Sequence, residues 1–170
     1  MSKMKFLTER QKRELEYHQK HAELNKSILE KPFSFEVVTS GIRKWWNAHW
    51  EMYAYLMEKN LKDKRVLVIG CGFGSDALYL SKCGANVSAF DISSDSLDIA
   101  KKLSEREGLN VDFKNIPAET LSYKDNYFDV VVARDILHHV DIEKSIEEIA
   151  RVSKPGAIFC FNEVVVIPAC

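Results

Sequence analysis

Short apolar segments of β-strand character alternate with amphipathic helical patterns from residue 65 onward, and this alternation restricts the fold more than any other feature of the sequence. Segments 66–69 and 130–133 are apolar at every position, which is typical of strands covered on both faces of a parallel sheet. Because consecutive parallel strands are joined by right-handed crossovers, the pattern predicts one α/β domain with an open, doubly wound sheet. The predicted strands cover residues 65–69, 86–90, 111–114, 128–133 and 157–162, and the predicted helices cover residues 76–83, 94–107 and 142–152.

The ends of these predicted helices carry their own signals. Ser94 and Asp141 stand where N-cap residues are expected, and Gly84 and Gly108 stand just past predicted helix C-termini. A Pro-Gly pair at 155–156 predicts the turn into the last strand. These signals agree with the strand and helix boundaries that the apolar pattern predicts.

Residues 1–62 precede the alternating region and are predicted to form an N-terminal helical extension or lid, with the core domain over residues 63–170. Residues 1–31 are rich in Lys, Glu and Arg and predict a polar helix that Pro32 ends. We expect its histidines, His18 and His21, to be ordinary surface residues.

A second helix is predicted over about residues 41–60, and it carries a stripe of aromatic side chains. The stripe consists of Trp45, Trp46, Trp50 and Tyr53. Such a stripe is more often the packed face of a helix. The alternative is an aromatic lid over a substrate cleft or a cage for a cation.

The charge balance limits the partners of the chain. Lys and Arg total 24 and Asp and Glu total 25, whereas a dedicated nucleic-acid-binding protein usually has a basic excess. No apolar run approaches the length that spans a bilayer, and the first residues lead into a charged segment rather than an apolar signal core. The cysteines at 71, 83, 160 and 170 follow no metal-site or disulfide-framework spacing. We therefore predict a cytoplasmic protein with no bound metal and no nucleic-acid or membrane partner.

A glycine-rich turn between the first predicted strand and the next helix is the main candidate for a binding site. Gly70, Gly72 and Gly74 let the backbone approach a bound molecule, and the N–H groups of the following helix supply donors. Asp91, at the end of the second predicted strand, can accept hydrogen bonds from both hydroxyls of a ribose. Dinucleotide-binding domains need the spacing G-x-G-x-x-G, and Ser75 takes the place of that third glycine here. The spacing therefore disfavours a nicotinamide-dependent oxidoreductase.

The G-x-G-x-G turn and the acidic residue that follows it resemble the S-adenosylmethionine site of class I methyltransferases. Three later segments resemble the same family in the same order: Tyr-Phe-Asp-Val-Val-Val at 127–132, Leu-His-His-Val at 137–140 and Arg-Val-Ser-Lys-Pro-Gly-Ala at 151–157. The resemblance covers about residues 64–163 and implies a Rossmann-like, mainly parallel sheet with strand order 3-2-1-4-5. Within the family, the chain is most similar to the "type 11"-like group that acts on small molecules.

The resemblance also implies which residues bind the cofactor. The glycine turn would line the methionine and ribose portions, Asp91 would bind the ribose hydroxyls, and Ile92 would pack against the adenine. The implied set is Gly70, Cys71, Gly72, Gly74, Asp91, Ile92, Ala118, Glu119 and Arg134, of which Ala118 and Glu119 would lie near the adenine edge and Arg134 would contact the cofactor mainly through its backbone.

Two positions depart from the family pattern. Val68 and Pro117 stand where many relatives have acidic residues that hold the amino group and the adenine of the cofactor. The loss of both carboxylates implies either weaker cofactor binding or compensation by Asp76 and Glu119.

The activity that the resemblance implies is methyl transfer from S-adenosylmethionine to a small-molecule or metabolite acceptor, with S-adenosylhomocysteine as the product. The N-P-P-Y tetrapeptide of nucleic-acid amino-methyltransferases is absent at 133–136, and no proline precedes a cysteine, as it does in cytosine C5 enzymes. His138 is the candidate general base. The alternative is a cofactor-binding module or subunit of methyltransferase fold without independent activity.

A complete domain of this family has seven strands, whereas only eight residues follow Asn162 here. We therefore expect a C-terminally truncated domain in which strands six and seven are missing. The fifth strand would then be an unprotected edge. Residues 157–167 are expected to pair with a second copy in a homo-oligomer or to be masked by the N-terminal helices.

Overall fold

The sheet of the protein has the predicted topology. A computed structural model of the chain describes residues 7–40 and 47–163. Its five strands are all parallel and lie in the order β3-β2-β1-β4-β5, as the sequence predicts. The strands are β1 (Arg65–Ile69), β2 (Asn86–Asp91), β3 (Val111–Asn115), β4 (Phe128–Arg134) and β5 (Ser153–Asn162).

The described helices are α1 (Glu9–Leu24), α2 (Glu36–Thr39), α3 (Ala48–Glu58), α4 (Ser75–Lys82), α5 (Ser94–Arg106) and α6 (Ile142–Val152), with short 3-10 helices at Lys26–Glu30 and Leu137–His139. The prediction of one helix to residue 31 is wrong, because α1 ends at Leu24 and a 3-10 helix follows. Asn25 Nδ2 donates to the carbonyl oxygen of His21 at 2.8 Å, and such a local bond competes with continuation of the α-helix.

The structure confirms one of the two predicted N-cap residues of the core helices and corrects the other. Asp141 caps α6 and accepts a hydrogen bond from the backbone N–H of Lys144. The cap of α5 is Ser93, not Ser94, because Ser93 has extended backbone angles and its hydroxyl accepts from the N–H of Ser96. Ser94 is instead the first residue of the helix.

Helices cover both faces of the sheet, as a doubly wound fold requires. On one face, α3 and α4 pack against the even-numbered positions of β1 and β4, which include Val66, Val68 and Val132. On the other face, α6 packs against Leu67 and Val131. The alternating apolar positions of each central strand therefore supply both layers of the core.

The aromatic stripe of α3 is a packed face where the structure describes it. Tyr53 and Leu56 are fully buried, and Trp50 is nearly so. Trp45 and Trp46, the other two members of the predicted stripe, lie outside the described residues. Since the buried side chains of α3 contact the sheet, the N-terminal extension is part of the core rather than an appendage.

Strand β5 is an edge within the described part of the chain. It pairs with β4, and α3 packs against one of its faces, where Ile158 and Cys160 are partly buried. The side chains on its other face, Phe159 and Phe161, are 48% and 37% exposed. The residues predicted to continue this edge, up to Ile167, lie outside the described residues.

No helix among the described residues has the length and apolar character needed to cross a bilayer.

The packing of α3 generates a stability prediction. Leu56→Ala removes a fully buried side chain between α3 and the sheet, so we expect the free energy of unfolding to fall by about 2–5 kcal/mol in denaturant titrations. Leu24→Ala is the matched control, because Leu24 is 73% exposed and its loss should change the free energy by less than about 0.5 kcal/mol. Equal effects of the two substitutions would contradict this packing.

Candidate functional site

The three glycines of the turn between β1 and α4 have positive φ angles but different surroundings. A Cβ added to Gly70 would lie 2.5 Å from Ile136 Cγ1, and one added to Gly74 would lie 2.9 Å from Ala100 Cβ. A Cβ added to Gly72 would meet nothing within 4 Å. Gly70 and Gly74 are therefore required by the protein's own packing, whereas Gly72 borders open space.

Asp91 connects the end of β2 to the glycine turn. Its Oδ2 accepts the N–H of Gly72 and its Oδ1 accepts the N–H of Ser93, both at 2.8 Å. Burial raises the pKa of the Asp91 carboxyl, and the two N–H groups oppose that shift. Because each carboxylate oxygen has more than one acceptor position, Asp91 retains acceptor capacity for the hydroxyls of a ligand.

A cavity of about 440 Å³, including the part open to solvent, lies above Asp91 and beneath α1. We call it the upper cavity. Its lining includes five of the residues predicted to bind the cofactor: Gly70, Asp91, Ile92, Ala118 and Glu119. Side chains of Phe90, Ile116 and Ile136 add apolar surface to its lining. The structure therefore brings a carboxylate and an apolar wall together at one place, which suits a nucleoside.

A second cavity, the turn cavity, has a volume of about 760 Å³ including open solvent and lies along the glycine turn. Four residues of the predicted set line it: Gly70, Cys71, Gly72 and Arg134. Gly70 and His18 line both cavities, so the two spaces are neighbours. Gly74 lines neither of them, because it packs α4 against Ala100 of α5.

Helix α1 covers the upper cavity, and the sequence did not predict that its histidines would line a cavity. His18 is partly buried and lines both cavities, so the expectation that it is an ordinary surface residue is wrong. His21 is exposed, as expected, but it also lines the turn cavity. The reason is long-range packing, since the ring of His21 stacks on that of Phe73 in the glycine turn. No local pattern in the polar sequence of α1 signals this placement.

Polar contacts join α1 to the loops that follow β3 and β4. Gln11 Nε2 donates to Glu119 Oε2 at 2.9 Å, and Glu119 Oε1 accepts the backbone N–H of Asp141 at 3.0 Å. His139 Nδ1 lies 2.9 Å from Glu14 Oε2. Both Gln11 and Glu14 are cavity-lining residues that sequence reasoning missed.

The imidazole of His18 lies in a mixed electrostatic environment. Burial lowers the pKa of His18, the Asp91 carboxylate opposes that shift, and the neighbouring His139 adds to it. The net effect is a lowered pKa, which favours the neutral imidazole at the roof of the cavities.

Asp76 and Arg134 form an ion pair at the turn cavity. Arg134 Nε donates to Asp76 Oδ2 at 2.9 Å, and the hydroxyl of Tyr53 donates to Asp76 Oδ1 at 2.7 Å. The sequence predicts that Asp76 compensates for a missing carboxylate and that Arg134 contacts the cofactor mainly through its backbone, and both stay predictions. In the structure, each Asp76 oxygen accepts one hydrogen bond, and the Arg134 side chain is paired with Asp76.

His138 does not line either cavity. Its side chain is about half exposed, and its Nδ1 lies 3.2 Å from Glu163 Oε2. His139, the next residue, lines the upper cavity instead. The role of His138 as a general base therefore stays a prediction. Within residues 7–40 and 47–163, no group of three or more His, Cys, Asp or Glu side chains is arranged to hold a metal ion.

The known proteins to which this chain is similar agree with the kind of site that the geometry indicates. Residues 67–161 match the family described as "Methyltransferase domain". The chain is 31% identical over 132 residues to a ubiquinone biosynthesis O-methyltransferase of Coxiella burnetii, covering 71% of this chain and 56% of that protein. It is 36% identical over 104 residues to the enzyme of the same name from Pseudoalteromonas translucida, covering 60% of this chain and 44% of that protein.

Among solved structures, the fold is similar to that of the [4+2]-cyclase SpnF, with a TM-score of 0.67, 26% identity and coverage of 88% of this chain and 58% of that one. The chain spans about half the length of the curated relatives it matches. The family match covers more than half of the chain, runs from within β1 to within β5, and includes the glycine turn and Asp91. The chain therefore belongs to the methyltransferase domain family and is a member of the class I S-adenosylmethionine-dependent methyltransferases.

Proposed function

We propose that this chain binds S-adenosylmethionine and transfers its methyl group to a small-molecule acceptor, releasing S-adenosylhomocysteine. The observation that carries the proposal is the buried Asp91 carboxylate, which is held by two backbone N–H groups and keeps acceptor positions facing the upper cavity. The open space beside Gly72 supports the fit of a ligand against the turn. When bound, the cofactor supplies an electrophilic methyl group on a sulfonium.

Each residue has a separate part in this proposal. Asp91 binds the ribose hydroxyls, and Ile92 and Ala118 bind the adenine by apolar contact. The Gly72 backbone approaches the ligand closely, while Gly70 and Gly74 give the turn its shape. Glu119 joins the roof to the adenine side of the cavity through Gln11.

The acceptor is proposed to be a small molecule with an oxygen nucleophile. The curated relatives named above are ubiquinone biosynthesis O-methyltransferases, which supports this class of acceptor. The chain's own contribution is to bind and orient the reactants and to exclude water beneath α1. His138 is retained in the proposal as the candidate base for the acceptor, although His18 and His139 are the histidines that line the upper cavity among the described residues.

The domain division, the oligomeric state and the cellular location of the chain are also proposals. Residues 1–62 form an N-terminal extension of the core domain of residues 63–170, in which α1 serves as the lid while α3 packs into the core. A second copy is proposed to pair with the edge of β5 that is unpaired among the described residues. The chain works in the cytoplasm, and the free thiols of its three described cysteines are compatible with a reducing compartment.

A second candidate function is a cofactor-binding domain whose chemistry is not methyl transfer by this chain alone. The likeness to SpnF, a [4+2]-cyclase by its name, supports this alternative. Methyl transfer to any small-molecule acceptor by the purified chain would exclude it.

The proposal predicts the effect of Asp91→Ala on ligand binding. Loss of hydrogen bonds to a charged group should weaken S-adenosylhomocysteine binding by about 1–3 kcal/mol in calorimetric titrations. Asp98→Ala is the matched control, since Asp98 is an exposed carboxylate on the neighbouring helix α5 and should leave the affinity unchanged. An unchanged affinity in Asp91→Ala would refute the assignment of the ribose site.

The lowered pKa of His18 in α1 predicts that the free energy of unfolding depends on pH. The folded pKa of His18 is lowered from 6.5, so below about pH 6.5 the unfolded chain binds protons at this site more readily than the folded chain. The free energy of unfolding should therefore fall as the pH drops through about 6.5, and His18→Gln should reduce that fall in denaturant titrations. A His18→Gln variant with the wild-type pH dependence would show that α1 does not bury this imidazole.

A further inference from the structure

The turn cavity contains a charged pair that the proposed function has not used. Of the residues that line this cavity in the described part of the chain, Arg134 alone carries a permanent positive charge. Its partner Asp76 is only 5% exposed, so the pair sits at the wall of the cavity rather than in open solvent. The Asp76 carboxylate keeps the pKa of Arg134 above its usual value although burial opposes the charge.

The guanidinium of Arg134 has more N–H donors than it uses within the described residues. A guanidinium has five N–H donors, and Arg134 uses Nε for Asp76. Its Nη1 lies 3.9 Å from Asp135 Oδ2, which is beyond hydrogen-bond distance. Within residues 7–40 and 47–163, Nη1 and Nη2 therefore make no hydrogen bond, and about a third of the side chain is accessible.

Tyr53 and Asp76 hold this guanidinium in one orientation. The Tyr53 ring is fully buried in the core between α3 and the sheet, and its hydroxyl donates to the Asp76 oxygen that Arg134 does not use. Burial raises the pKa of Tyr53, and Asp76 adds to that shift, so the phenol stays a donor. A preorganised guanidinium of this kind suits bidentate recognition of a carboxylate.

The position of the pair indicates which carboxylate it would bind. Gly70 and His18 line both cavities, so a nucleoside whose ribose lies on Asp91 extends its 5′ substituent toward the turn cavity. In S-adenosylmethionine and S-adenosylhomocysteine that substituent is a sulfur-linked amino acid, which ends in a carboxylate and an ammonium group. No other permanent cation lines the turn cavity among the described residues.

Resting on the proposed function, we propose that the Arg134 guanidinium binds the carboxylate of the cofactor's amino-acid portion, and that Asp76 and Tyr53 are positioning residues for it. This role differs from the backbone contact that the family resemblance implies for Arg134. It also explains why the missing acidic residue at Val68 does not leave the amino-acid portion without a charged partner.

The test is to compare two ligands that differ only in the amino-acid portion, by calorimetric titration of the full chain. S-adenosylhomocysteine has the carboxylate, and 5′-methylthioadenosine lacks the whole amino-acid end. Arg134→Gln should weaken S-adenosylhomocysteine binding by about 10- to 100-fold and change 5′-methylthioadenosine binding by less than about twofold. Arg134→Lys, which keeps the charge but not the planar donors, should recover only part of the loss.

Control variants separate recognition from folding. Arg134→Gln leaves the buried Asp76 carboxylate without its cation, so the double variant Asp76→Asn with Arg134→Gln removes both charges and should show the same selective loss. Tyr53→Phe should weaken S-adenosylhomocysteine binding less than Arg134→Gln, and again without affecting 5′-methylthioadenosine.

If Arg134→Gln weakened the binding of both ligands equally, the proposal would be overturned. The loss would then come from a changed site structure and not from a lost contact with the carboxylate. An unchanged affinity for S-adenosylhomocysteine would also overturn the proposal and would direct attention to an anionic acceptor instead. If the unmodified chain bound neither ligand, the proposed function would fail, and this inference with it.

Discussion

The hydrogen bonds of Asp91 hold the candidate site together. A buried carboxylate without partners costs several kcal/mol, and here the N–H groups of Gly72 and Ser93 offset that cost. One of these donors belongs to the glycine turn after β1 and the other is the N-cap of α5. The same carboxylate therefore fixes the turn against β2 and binds the N-cap residue of the next helix.

The roof of the site depends on contacts that are distant in sequence. Helix α1 is polar, and it is held over the strand ends by Gln11, Glu14 and His21, whose partners are Glu119, His139 and Phe73. The Gln11 contact is a partly buried hydrogen bond and the Glu14 contact is an ion pair when His139 is protonated, and such contacts stabilise a structure only modestly. Apolar packing adds to them, because Ala22 of α1 is buried against Leu78 of α4 and Leu103 of α5.

The sequence predicted the part of the molecule that local patterns encode. Strand order, crossover helices and the meeting of Gly70 with Asp91 follow from apolar periodicity, the glycine turn and the geometry of a parallel sheet. The placement of α1 could not be predicted, because His18 meets Asp91 and His139 only through packing across more than seventy residues. The ion pair of the Arg134 side chain could not be predicted for a similar reason, since Asp76 lies on α4 and Tyr53, which donates to Asp76, lies on α3.

We propose that the upper cavity, with Asp91 at its floor and α1 as its roof, is the cofactor site. A crystal structure of the chain with bound S-adenosylhomocysteine would test this placement. We expect adenosine between α1 and the carboxyl ends of β1 and β2, with both ribose hydroxyls hydrogen bonded to the Asp91 carboxylate. Ligand density elsewhere, or a ribose that makes no contact with Asp91, would contradict it.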